Sequence, residues 1–125
     1  MTENELATIV VDLCYQIHTQ LGAGLFESVY EEVLYYELIQ MGFKVERQKG
    51  IPVRWKDKKM DIGFRADLIV DDKLIIEIKS IETVLPVHKR QMLTYLKLTG
   101  MKLGLLVNFN EALIKDGITR IVNNL

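Results

Sequence analysis

Asp67, Glu77 and Lys79 are the residues of this chain whose types and spacing could do chemistry together. Glu77 interrupts the apolar run Leu74 to Ile78, where a buried strand would carry a hydrophobe. A carboxylate in such a place costs roughly several kcal/mol unless it is paired or bound to a metal. Lys79 follows two residues on. Side chains alternate along a strand, so Glu77 and Lys79 project from one face roughly 6 to 7 Å apart. Asp67 belongs to the preceding strand-like run, and the turn Asp71-Asp72-Lys73 folds the two runs antiparallel. Pairing about a turn centred near residue 72 sets Asp67 opposite Glu77, with a slip of one residue as the alternative register. Two close carboxylates repel unless a proton or cation sits between them, so a hard divalent metal is the natural filling. A buried salt bridge from Lys79 to one of the acids is the other way to satisfy the same charges.

The elements that must position these groups follow from periodicity. Leu6, Ile9, Val10, Leu13, Ile17 and Leu21 recur at three- and four-residue steps, the stripe of an amphipathic helix that Gly22 and Gly24 end. A second helix is expected from about Leu25 to Gln40, with Phe26, Val29, Tyr30, Val33, Leu34 and Leu38 in period and Gly42 as its stop. From Phe43 the pattern turns strand-like through Val45, Ile51, Val53 and Trp55, and Lys56-Asp57-Lys58-Lys59 reads as a hairpin turn. Ile62, Phe64, Ala66, Leu68 and Val70 alternate with period two, and Leu74 to Ile78 is a short central strand. Pro86 opens a third helix that buries Met92, Leu93, Leu96 and Leu98 and ends at Gly100. Leu103 to Phe109 is a buried strand, and 117 to 122 a last short one. The order is α/β with a mixed sheet.

With 125 residues, 49% of them hydrophobic and two prolines, the chain is expected to be one globular domain spanning 1–125. It opens on acids without a basic leader, and no apolar stretch is long enough to span a bilayer, so no membrane partner is expected. Cys14 is the only cysteine and lies in a periodic apolar segment, which points to a buried thiol in a reducing, cytoplasmic setting. The net charge of -1 argues against gripping nucleic acid by bulk electrostatics. Its distribution is uneven: residues 1–43 carry -7, 44–59 carry +5, 60–85 carry -3 and 86–105 carry +4. Such blocks can set a basic rim beside an acidic pocket, or be no more than solvated faces of helices and hairpins. Lys89 and Arg90 oppose the dipole at the start of the third helix and could meet phosphate oxygens there. His18 and His88 lack metal-ligand spacing and read as structural.

Asp67, nine residues, then Glu77-Ile78-Lys79 resembles the signature of the PD-(D/E)XK nuclease superfamily, with Ala66 in place of the proline. Gly24-Leu-Phe-Glu27-Ser-Val-Tyr30 is similar to the motif for which the GxxExxY family of that superfamily is named, and the likeness extends over nearly the whole chain. It implies a restriction-endonuclease-like core: two N-terminal helices, a three-stranded antiparallel meander, a crossover helix and a further strand in a mixed sheet. It also implies roles. Glu27 completes a metal site with Asp67, Glu77 and the Ile78 carbonyl, for Mg²⁺ or Mn²⁺. Lys79 orients or activates the attacking water, and hydrolysis proceeds by in-line displacement at a phosphodiester without a covalent enzyme intermediate. Gln91 and Tyr95, four apart on one helix face, would contact the substrate phosphate or Lys79. Gly24 and Tyr30 would support the pocket. The expected partner is nucleic acid, with DNA favoured, and specificity is left to a homo-oligomer or a protein partner. Two other classes stay open: a non-catalytic nucleic-acid- or protein-binding module on the same fold, and an oligomeric interaction protein whose carboxylates only satisfy a buried lysine.

Overall fold

Thr2 starts the first helix by a reciprocal cap: its hydroxyl oxygen accepts from the Glu5 amide at 3.1 Å while Glu5 Oε1 accepts from the Thr2 amide at 2.9 Å. The computed structural model describes residues 1–125. Helix α1 runs Glu3–Leu21 and α2 runs Glu27–Gln40. A five-stranded sheet follows, built from β1 (Val45–Ile51), β4 (Phe64–Val70), β5 (Leu74–Lys79), β6 (Leu103–Asn108) and β7 (Ile118–Val122), in the order β1-β4-β5-β6-β7. The β1-β4-β5 part is an antiparallel meander. Helix α3 (Pro86–Thr99) then crosses so that β6 lies parallel to β5, and β7 returns antiparallel to β6 through a short 3-10 turn, Ile114–Gly117.

The two faces of the sheet are covered differently. Leu6, Val10, Cys14 and Ile17 of α1 and Tyr30, Leu34 and Leu38 of α2 pack with Leu68, Val70, Ile76, Ile78, Leu105 and Val107 in a core cluster of 19 buried residues. Each fully buried Leu or Ile there contributes about 1.5–3 kcal/mol. On the opposite face α3 buries Met92 and Leu96 against Ala66, Ile69 and Ile75. Gly104 permits this approach, since a Cβ on it would run into the Met92 side chain. No helix is long and apolar enough to cross a membrane.

Four expectations need correction. The stretch from Val45 to Trp55 is not one strand: Pro52, which has no N–H to give, ends β1 at Ile51, and Arg54–Trp55 (β2) pairs with Lys58–Lys59 (β3) as a separate two-stranded arm. Ile62 is 84% exposed, because it lies between that arm and the sheet, where no layer covers it. In α3, Leu98 is exposed and Leu93 only partly covered, since the helix meets the sheet along Met92, Tyr95 and Leu96. Phe26, which precedes α2, and Val29 are exposed because they lie off the Tyr30–Leu34–Leu38 stripe that α2 buries in the core.

Candidate active site

The register of β4 and β5 is set by the Asp71-Asp72 turn, whose two residues adopt left-handed φ of 51° and 55°. Leu68 pairs with Ile76, Ile69 with Ile75 and Val70 with Leu74, all symmetric about residue 72. Continued by one step, this register sets Asp67 opposite Glu77, but there the backbone ladder stops. Side chains complete it instead. Asp67 Oδ2 accepts from the Ile78 amide at 2.8 Å, and Glu77 Oε1 faces the Asp67 amide at 3.4 Å. Alternation in β4 also slips at this point: Ala66 packs on the α3 face with Ile69, whereas Leu68 and Val70 face α1 and α2. The two strands therefore part at Asp67 and Glu77 and hold both carboxylates in the gap.

The pair is electrostatically loaded. Burial first, and then the neighbouring Asp67 charge, push Glu77 up to about 9, so it keeps a proton at neutral pH. Lys79 exerts a smaller opposing pull on the same group. It takes part in none of the three ion pairs of the molecule, so the salt bridge considered for it is not formed. Tyr95 of α3 stacks on Phe64 with ring centroids 3.8 Å apart. Its phenol is raised by burial and then by the charges of Glu77 and Asp67, which places it within their field. Gln91 is one helical turn before Tyr95 and exposed, and Lys89 and Arg90 are exposed at the start of the same helix. The His88 Nδ1 accepts from the Leu85 amide at 2.9 Å, a structural cap.

Glu27 opens α2 but does not join the pair. Its Oε1 faces the Ser80 amide at 3.3 Å, just past the end of β5, while the Ser80 hydroxyl donates to the Leu25 carbonyl at 2.6 Å. No three His, Cys, Asp or Glu side chains close on one point. The convergence expected of Glu27, Asp67 and Glu77 is thus reduced to two carboxylates, because the third is engaged by the Ser80 amide just past the end of β5. A hard divalent cation still suits Asp67 and Glu77. All their donors are carboxylate oxygens with spare lone pairs, and a positive charge would offset the burial and the Asp67 repulsion that together hold a proton on Glu77. The Ile78 carbonyl lies on the same stretch of strand.

The loop that presents Glu27 is fastened by Tyr30. Its hydroxyl donates to the Gly22 carbonyl at 2.6 Å and accepts from the Leu25 amide at 3.2 Å, and its ring stacks on Phe109 at 4.3 Å. Gly24, at φ +94°, lets the chain turn between these two anchors. Tyr30→Phe is expected to cost about 1 kcal/mol by leaving those backbone groups unpaired. The denaturant midpoint measures it, and an unchanged midpoint would show that water replaces the hydroxyl.

Sequence reasoning missed a second network. Glu31, only 6% exposed, accepts from Arg47 Nε at 2.7 Å and from Gln48 Nε2 at 2.6 Å, and Gln48 Nε2 also reaches Asp67 Oδ1 at 3.1 Å. Gln48 does so from a left-handed backbone, φ 51°, at the one position where the β1–β4 ladder is interrupted. Asn108, fully buried at the end of β6, holds the segment after β5 through the Ile81 amide and carbonyl at 3.1 and 2.9 Å. The available signals were an acid four residues after Glu27 on the buried side of α2 and a lone amide closing an apolar strand.

No curated protein matches the chain. Among solved structures, a crystal structure of SSO0001 is similar at a TM-score of 0.46 and 21% identity, over 96% of this chain and 79% of that one. The profile of the PD-(D/E)XK nuclease superfamily matches residues 4–121, which takes in both helices, the parted strands with their carboxylate pair and the crossover helix. The chain belongs to the PD-(D/E)XK nuclease superfamily.

Proposed function

We propose that the chain, acting as one nuclease-like domain of the GxxExxY branch, is a metal-dependent phosphodiester hydrolase whose substrate is nucleic acid, with DNA as the favoured polymer. The observation that carries this reading is the Asp67–Glu77 pair held where β4 and β5 part, with Lys79 two residues on in β5. Asp67, Glu77 and the Ile78 carbonyl are the proposed ligands of Mg²⁺ or Mn²⁺. Such an ion, when bound, supplies the charge that makes water nucleophilic near neutral pH and offsets charge on the scissile phosphate. Lys79 orients the attacking water and takes up developing negative charge. Tyr95 and Gln91 face the substrate phosphate from α3, and Lys89 and Arg90 meet the flanking backbone. With a net charge of -1, affinity rests on local basic surfaces and on a second copy or protein partner. The cytoplasm is the proposed compartment.

The test is cleavage of single- and double-stranded nucleic acid by the purified chain with Mg²⁺ or Mn²⁺, and its loss in excess chelator. Cleavage that ignores the chelator would refute a metal-dependent site. Because Glu27 sits over the Ser80 amide, Glu27→Ala is expected to lower the rate by about 10–100-fold, as for a group that tunes a metal site from outside its ligands. A loss as large as that of Asp67→Ala would make Glu27 a direct ligand.

One observation favours a second reading: only two carboxylates meet. A non-catalytic binding module on this fold would bind nucleic acid or protein equally well without metal, and Lys79→Ala would leave that binding intact.

A further inference from the structure

The arm formed by β2 and β3 is not used by the site described above. It carries Arg54, Lys56, Lys58 and Lys59 against the single acid Asp57. Its turn is tight, with Lys56 and Asp57 at φ 49° and 63°, and the Met60 amide donates to the Val53 carbonyl at 2.9 Å to close its base. The arm is therefore a defined hairpin rather than a loose loop. At its tip Trp55, the only tryptophan of the chain, is 66% exposed. The Lys56 ammonium lies 5.9 Å from the Trp55 ring centroid.

Cross-strand pairing sorts these side chains by face. Trp55 opposes Lys58, and Arg54 opposes Lys59. Residues directly opposite in an antiparallel pair share a face, so one face carries an indole beside an ammonium and the other carries two cations. Lys59 also lines a groove of about 440 Å³ at the base of the arm, together with Arg65, Asp61 and Phe64. Phe64 and Arg65 open β4, the strand that carries Asp67, and Phe64 is the residue on which Tyr95 stacks. The groove thus joins the basic, aromatic arm to the start of the strand on which Asp67 stands, two residues after Arg65.

An exposed large aromatic ring flanked by cations suits one kind of ligand well. Every nucleobase offers a flat face to stack on indole, and the adjacent backbone offers phosphates to the ammonium groups, but only a base freed from its partner can do both. A duplex keeps its bases stacked inward and presents phosphates alone.

We infer that the β2–β3 arm is a binding element for unpaired nucleic acid, in which Trp55 stacks on a base and Arg54, Lys56, Lys58 and Lys59 hold the adjoining phosphates. This rests on the nucleic-acid reading of the site and narrows its substrate class to single strands or frayed ends. The arm delivers such a strand along the Lys59–Arg65 groove toward Asp67 and Glu77.

The sole tryptophan makes the test direct. The full chain is titrated in chelator, where no cleavage occurs, with an oligo(dT) strand and separately with a blunt duplex. Oligo(dT) is expected to quench the Trp55 fluorescence and to bind more tightly than the duplex. Followed by anisotropy of a labelled strand, Trp55→Ala is expected to weaken oligo(dT) binding about tenfold, in line with loss of one base stack. The pair Lys56→Gln and Lys58→Gln should flatten the dependence of log affinity on log salt by about 0.7 for each phosphate no longer neutralised. An unchanged melting temperature of Trp55→Ala shows that the variant folds. Binding without quenching, or equal binding by wild type and Trp55→Ala, would overturn the arm's role while leaving the nuclease site to its own cleavage assay. Fluorescence that changes with protein concentration alone would also overturn it, marking Trp55 as a self-association surface.

Discussion

Glu77→Gln is expected to abolish cleavage and, in the same molecule, to make the metal-free protein harder to melt. The loss of activity, roughly a thousandfold or more, follows from removing a ligand charge at the centre of the site. The gain in stability follows from the cost of keeping that carboxyl where it is. An ordinary Glu titrates at 4.5, whereas burial and the Asp67 charge raise the folded value to about 9. Between those values the native state binds more protons than the unfolded chain, so stability falls as pH rises through the window and levels off above it. At about pH 7.5 folding must take up a proton at Glu77, at a cost of up to about 4 kcal/mol. Glutamine avoids that cost. In chelator the variant should therefore melt several degrees above the wild type near neutral pH, with the difference shrinking toward about pH 5. Equal melting temperatures at both pH values would show that Glu77 carries no such burden. A cation must displace the same proton, so activity and metal affinity should both rise with pH up to about 9.

Lys79→Ala is expected to lower the cleavage rate by roughly 10²–10⁴-fold while sparing metal binding, since a positioned acid–base or charge-stabilising group contributes about that much. Lys79 forms no ion pair in the fold, so its removal strands no partner and should leave the melting temperature nearly unchanged. The separation between rate and stability is what distinguishes it from Glu77. If Lys79→Ala cleaved as fast as wild type, the ammonium would have no part in the chemistry, and the binding-module reading would gain accordingly.

The pairing of Asp67 with Glu77 was legible because two local signals agree: period-two alternation on both strands, and a turn of Asp71-Asp72, residues that tolerate left-handed backbone. Both fix the register about residue 72 without any distant contact. The crossover helix was legible for a similar reason, since Pro86 and Gly100 bracket it. Gln48 was not, because its left-handed φ of 51° depends on reaching Glu31 and Asp67, contacts between elements that no local pattern encodes. The contact that Glu27 makes was not legible, for a related reason. The motif fixes its position at the start of α2, but the direction of its carboxylate depends on Ser80, 53 residues away. The separate β2–β3 arm was hidden by a continuous β-prone composition through Pro52, and a proline alone does not tell an edge strand from a break.

The central claim is that Asp67 and Glu77 together hold a divalent cation. It is tested most directly by the melting temperature of the full chain at about pH 8, with Mg²⁺ or Mn²⁺ and in chelator. An ion bound only by the folded state, at a hundred times its dissociation constant, adds about 2.7 kcal/mol. The wild type should melt several degrees higher with metal, and Asp67→Asn and Glu77→Gln should show no such rise. A wild-type melting temperature indifferent to both cations, or an equal rise in all three proteins, would contradict it.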